Sequence, residues 1–155
     1  MDETWMAEAL ALARRAAVEG EVPVGAVVVC EGRVVGTGRN ARERLQDPIA
    51  HAEVLALKEA SAALSRWRLT GCTLYVTLEP CFMCAGALIN ARIDRLVFAV
   101  RDPKAGAVVS LAQVGLDARL NHRVEVAELA KSPMAAECGE VLKSFFRERR
   151  KPKPG

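Results

Sequence analysis

Thr73-Leu74-Tyr75-Val76-Thr77-Leu78-Glu79-Pro80-Cys81-Phe82-Met83-Cys84 is the stretch on which the reading of this chain turns. Thr73 to Thr77 is rich in β-branched and aromatic residues and reads as a strand. Glu79-Pro80 then opens a helix that runs to about Ala91, because proline suits a first helical turn. A strand that feeds directly into a turn with two cysteines holds those thiols on rigid backbone. Cys81 and Cys84 are spaced to share one helical face. Unpaired amides and the positive end of a helix favour the thiolate, which is the form that binds metal.

The rest of the pattern lies upstream, in His51-Ala52-Glu53. An imidazole with two thiolates suits zinc, and three protein ligands leave a fourth tetrahedral position for water. Zinc lowers the pKa of that water to about 7, which gives hydroxide at neutral pH. Glu53 stands beside the ligand set without belonging to it and is free to move protons. An H-x-E segment followed by P-C-x-x-C is the recorded signature of zinc-dependent nucleobase deaminases. Their reaction needs hydroxide at the ring carbon bearing the amino group, a proton on the adjacent ring nitrogen, and another on the departing amine. One carboxylate can carry those protons in turn. A C-x-x-C alone also fits a redox pair or half of a structural zinc site. A structural site asks for a fourth ligand. Cys30, Cys72, Cys138 and His122 lack ligand spacing, and a structural site leaves Glu53 and Pro80 without a role.

Working outward, Asp47-Pro48 places a cap and a first-turn proline ahead of His51, so a helix is expected from there to about Leu64. Met6, Leu10, Ala13 and Ala17 recur at helical spacing and Gly20 supplies a stop, which predicts an amphipathic helix over about 3–19. Val24 to Cys30 and Arg33 to Gly38 flank Glu31-Gly32 and read as a hairpin. Arg95 to Ala99 reads as a strand, Val124 to Ala127 as a fifth, and about 134–150 as a helix ended by Pro152 and Pro154. This alternation predicts a helix-flanked α/β sandwich around one sheet.

The chain has 155 residues, 51% hydrophobic and 26% charged, which fits one soluble globular domain with a real core. We expect that domain over 1–150, followed by a short basic tail at 151–155. The apolar run Val24 to Cys30 is far too short to span a bilayer, and the acidic start Met1-Asp2-Glu3 lacks a secretory pattern. Five cysteines without framework spacing suit a reducing cytoplasm. The net charge is only +3, but Lys143, Arg147, Arg149, Arg150, Lys151 and Lys153 face a single acid, Glu148. Phe145 and Phe146 add stacking surface to that phosphate-binding charge, which points towards RNA.

Beyond the two motifs, the stretches Glu21 to Val27, Asp47-Pro48, Ala50 to Glu53, Thr73 to Cys81, Cys84 to Ala87, Arg101 to Gly106, Asn121 to Glu125 and Phe145 to Arg147 resemble the bacterial tRNA-specific adenosine deaminases. The likeness runs from Met6 to Arg150. It implies a cytidine deaminase-like fold: a three-layer α/β/α sandwich with a central mixed five-stranded sheet. It implies conversion of adenosine to inosine at the wobble position of an arginine tRNA, with the anticodon stem-loop as partner. It further implies one Zn2+ per subunit on His51, Cys81 and Cys84, Glu53 as proton shuttle, and a homodimer. By the same resemblance Asn40 would hydrogen-bond the extruded adenine and the Ala52 N–H would orient the ring. Val22, Pro23, Val24 and Leu78 would wall the pocket. Asp102 and Lys104 would touch the flanking nucleotides, and Phe145, Arg149 and Arg150 would extend the RNA surface. Two other readings compete: deamination of a free base or nucleoside of guanine or cytosine type, and a non-catalytic zinc and RNA-binding subunit. Inert partner subunits of deaminase heterodimers lack the catalytic glutamate, whereas Glu53 is present here.

Overall fold

The computed structural model describes residues 1–151; the expected tail beyond Lys151, with Pro152 and Pro154, lies outside the described residues. Helix α1 (Asp2–Val18) buries Met6, Ala9, Leu10, Ala13 and Ala16 along one stripe, and its acidic first turn suits the positive helix end. Strand β1 (Gly25–Cys30) is buried at every position, which explains its unbroken apolar run. It pairs with β2 (Arg33–Arg39) through Glu31 and Gly32, both at positive φ, as a two-residue hairpin turn requires. A short helix α2 (Arg42–Leu45), which the sequence pattern did not reveal, precedes α3 (Ala52–Leu64). Then follow β3 (Cys72–Leu78), α4 (Phe82–Asn90), β4 (Arg95–Val100), β5 (Glu125–Glu128) and α5 (Pro133–Arg150). Ser132 caps α5 by accepting the Ala135 N–H, with Pro133 at its first position.

The sheet order is β2-β1-β3-β4-β5. The β1–β2 and β1–β3 pairs are antiparallel, and β3–β4 and β4–β5 are parallel, so the sheet is mixed and five-stranded as expected. Alternation along the strands builds both cores. Val27, Val29, Tyr75, Val97 and Ala99 pack with Met6 and Leu10 of α1 and Cys138 of α5. Ala26, Val28, Leu74, Val76, Leu96 and Phe98 pack with Ala52, Ala56 and Leu57 of α3 and Leu88 and Ile89 of α4. The result is the three-layer α/β/α sandwich.

Helix α3 lies directly on β2. A Cβ at Gly36 would fall 2.2 Å from the Ala56 carbonyl oxygen, and one at Gly38 would fall 2.1 Å from that of Ala52. Glycine is what permits this approach. Both parallel strands β3 and β4 end at the same side of the sheet, where α/β folds place their ligands.

Most boundaries fall within a residue or two of expectation, and three of the differences have a local cause. Helix α3 begins at Ala52, not at Pro48, because Asp47 forms a turn: its Oδ1 accepts the Ile49 N–H at 2.8 Å and its carbonyl accepts the Ala50 N–H. Helix α4 begins at Phe82, with Cys81 ahead of it as an N-cap in extended backbone. Strand β5 begins at Glu125, because the Val124 N–H bonds to the Gly115 carbonyl and pairing with β4 starts only at Glu125.

Candidate active site

His51 and Cys81 are the N-cap residues of α3 and α4, and Cys84 is buried in the first turn of α4. The two helix starts converge at the carboxyl end of β3. His51 Nδ1 lies 3.5 Å from Cys84 Sγ and 3.7 Å from Cys81 Sγ. The three atoms all lie within 4.8 Å of one another, close enough to hold one metal ion, and among the described residues no fourth His, Cys, Asp or Glu joins them. One imidazole and two sulfurs form a donor set suited to zinc with one coordination position to spare.

The electrostatics of the cluster favour metal capture. The Cys84 thiol and His51 both bond to Cys81 and hold its pKa well below the ordinary thiol value, which favours the thiolate. Cys84 is pushed well up by the Cys81 sulfur and by burial, and it keeps its proton. Contact with Cys81 raises His51. A metal ion would therefore meet a sulfur that favours the thiolate at Cys81 and displace the proton of Cys84.

Glu53, the second residue of α3, is 4% exposed and lines the same cleft as His51 and Cys81. Burial pushes its carboxyl up to about 7, against the pull of His51. A buried carboxyl poised near neutrality beside a metal-capable cluster suits general acid–base work.

Asn40 lines the cleft just past β2, and its Oδ1 accepts the Ala52 N–H at 2.9 Å. The Ala52 amide expected to orient a ring is thus engaged with Asn40, which also secures the start of α3. Val22, Val24 and Leu78 line the cleft, whereas Pro23 is buried and lies outside the lining. Asp102 and Ala105 form part of the rim.

A second groove adjoins the first, between the loop after β4 and helix α5. Lys104, Arg101, Lys143, Arg147 and Arg150 border it, with Leu78, Val100 and Leu142 beneath, and Asp102 and Arg149 belong to both. Arg149 donates to the Gly20 carbonyl at 3.1 Å and stacks its guanidinium 4.9 Å from the centre of Phe145. Phe145 itself lies on the α1 side of α5, near Ala17, and it is the exposed Phe146 that lines the groove. Two adjacent phenylalanines on one helix point different ways, and sequence alone did not say which one faces the groove.

Two buried glutamates went unassigned in the sequence reading. Glu21 accepts the N–H groups of Glu43 and Arg44 at 3.1 and 2.7 Å and fixes α2 beside the cleft. Glu79, 2% exposed, accepts from the Asp102 N–H at 3.1 Å, the Val108, Val109 and Ser110 N–H groups at 3.0, 2.8 and 2.9 Å, and the Ser110 hydroxyl. Burial alone would raise this carboxyl, but the Ser110 hydroxyl and the amides hold it at about 2. The only sequence signal was an acid directly after a strand that carries no charge of its own.

Residues 1–150 match the MafB19-like deaminase family. The chain is 47% identical over 152 residues to a tRNA-specific adenosine deaminase of Bacillus subtilis, covering 98% of this chain and 92% of that one. A structure solved in a study of A-to-I editing by tRNA deaminases at the wobble position superimposes with TM-score 0.84 at 42% identity, over 90% of this chain and 99% of that one. A guanine deaminase from Nitrosomonas europaea matches with TM-score 0.74 at 25% identity, over 94% and 84%. Fold, cluster and sequence likeness agree: the chain belongs to the MafB19-like deaminases and, within them, to the tRNA-specific adenosine deaminase family.

Proposed function

We propose that this protein hydrolytically deaminates adenosine to inosine at the wobble position of tRNA, with the anticodon stem-loop of an arginine tRNA as substrate. The observation that carries the reading is one cleft in which His51, Cys81 and Cys84 converge beside the buried Glu53, opening onto the basic groove along α5. His51, Cys81 and Cys84 would hold one zinc ion per subunit, which when bound would supply an activated water for attack on the ring carbon. Glu53 takes a proton from the attacking water and gives it to the adjacent ring nitrogen, then takes the remaining proton from the added hydroxyl and delivers it to the departing amine, which leaves as ammonia as the carbonyl forms. A carboxyl near neutrality suits traffic in both directions. Asn40, fixed through its Oδ1, offers its side-chain amide to the base. Val22, Val24 and Leu78 close around the ring and exclude water.

Recognition rests on the second groove. Lys104, Arg149 and Arg150 meet phosphates and Phe146 offers a stacking face, which suits an unpaired loop whose bases can be splayed out. An unpaired base costs less to extrude than one in a duplex. A free base needs no such surface, which favours RNA over the guanine-type reading. The protein works as a homodimer: the groove between α3 and α4, lined by Val54, Leu57, Trp67 and Ala87, and the exposed Phe82 and Met83 supply apolar surface for a subunit contact. Unpaired cysteines suit the reducing cytoplasm.

The test is incubation with an arginine anticodon stem-loop and, separately, with free adenosine, guanine and cytidine. Inosine in the RNA alone is the expected result. Turnover of the free compounds without editing of the RNA would overturn the reading.

A further inference from the structure

Glu79 takes no part in the chemistry above, yet its carboxylate is fully engaged: two hydrogen bonds at Oε1 and three at Oε2. All five donors belong to the loop after β4. That loop also bridges Gly106 to Cys81 and gives the Ala107 N–H to the Pro80 carbonyl at 2.9 Å. A Cβ at Gly106 would fall 2.3–2.5 Å from the Glu79 carboxyl atoms, so loop and carboxylate are fitted without spare room. The loop is therefore laid over the metal turn and fastened from beneath by one buried acid.

We propose that Glu79 is a positioning residue for RNA binding: its Oε1 fixes the backbone of Asp102 and so holds the Asp102–Lys104 segment at the rim of the cleft. This rests on the reading of Asp102 and Lys104 as RNA contacts. The two oxygens divide the work. Oε2 anchors the distal part of the loop through Val108, Val109 and Ser110, whereas Oε1 serves Asp102 and the Ser110 hydroxyl. Glu79→Gln separates these roles. Its one carbonyl oxygen keeps the three amides, because the opposite orientation would set an NH2 against three donors. The NH2 then faces the Asp102 N–H, donor to donor, while the Ser110 hydroxyl can rotate and accept. The variant should free the rim and leave the distal anchor in place.

The experiment compares wild type and Glu79→Gln as full-length protein on the anticodon stem-loop, with zinc content and amide hydrogen exchange measured alongside. The expected result is unchanged zinc, a KM for RNA raised about tenfold, as suits the loss of one hydrogen bond to a charged group, and kcat falling less than KM rises. Exchange at Asp102 should quicken while Val108 and Val109 stay protected. An unchanged KM, or a loss confined to kcat that tracks missing zinc, would overturn the proposal. Should Glu79→Gln fail to fold, Glu79→Asp keeps the charge and withdraws the carboxylate from the loop; with zinc retained it should quicken exchange at Asp102 and raise KM, and no change in either overturns the proposal equally. Wild type that leaves the RNA unedited would refute the proposed activity. Edited RNA with an unaltered KM in Lys104→Ala would refute the loop contact, and the exchange at Asp102 would still decide whether Glu79 holds the rim.

Discussion

Glu53 and Glu79 are both buried carboxyls, and their surroundings drive them in opposite directions. Glu53 lacks a compensating set of donors, so burial lifts it to about 7; Glu79, ringed by amides, stays ionised at about 2. The first can exchange protons at neutral pH and the second cannot, which divides chemistry from architecture between two residues of one type. Glu53→Gln keeps the volume and removes the proposed proton carrier. It should retain zinc at wild-type stoichiometry and lose about 10²–10⁴-fold in kcat; deamination at more than a tenth of the wild-type rate would dismiss the shuttle. His51, Glu53, Cys81 and Cys84 were legible in the sequence because each pair is set by short spacing, and a helix start fixes what short spacing means in space. Glu21 and Glu79 were not legible. Their partners are backbone amides 22 to 31 residues away, and no side-chain pattern records a bond to an amide.

At the scale of elements, the site depends on how closely α3 approaches β2. Gly38 meets the Ala52 carbonyl, in the very turn that carries His51 and Glu53. Gly38→Ala must push that turn off the sheet. We expect a loss of about 1–3 kcal/mol of stability or more, read as a lower melting temperature, together with weaker zinc retention on dialysis against a chelator. A variant that melts like wild type and keeps its metal would show that the turn can move without harm. The elements themselves were largely readable: β1 from its unbroken apolar run, α1 from its stripe, the hairpin from Glu31-Gly32. The start of α3 was misread because Asp47-Pro48 carries both cap and turn chemistry, and the turn prevailed through the Asp47 side chain and the Ile49 amide. Helix α2 escaped notice because its four residues bury none of their side chains, so no periodicity betrays it.

At the scale of the whole molecule, the start of α1 is clamped to the sheet by Asp2. Its carboxylate accepts from Tyr75 at 2.8 Å and from both Arg95 amino groups at 2.9 and 2.8 Å. The Arg95 guanidinium holds the Asp2 pKa below its ordinary 3.8, so protonation favours the unfolded chain. The clamp stabilises fully above the unfolded value and fades as pH falls through the lower folded one. Asp2→Asn should therefore melt below wild type at pH 7, with the gap closing as both are taken towards pH 3. A gap that does not narrow at all as pH falls below 3.8 would mean that the clamp works by packing alone. The parallel neighbours β3 and β4 end side by side, one in the cysteine turn and the other in the loop that Glu79 pins. On the proposed reading, catalysis and recognition thus hang from different threads of one fabric. A lineage can rewrite the loop to suit a new nucleobase or polymer while inheriting the reactive centre intact, as long as a buried acid still ties the two together.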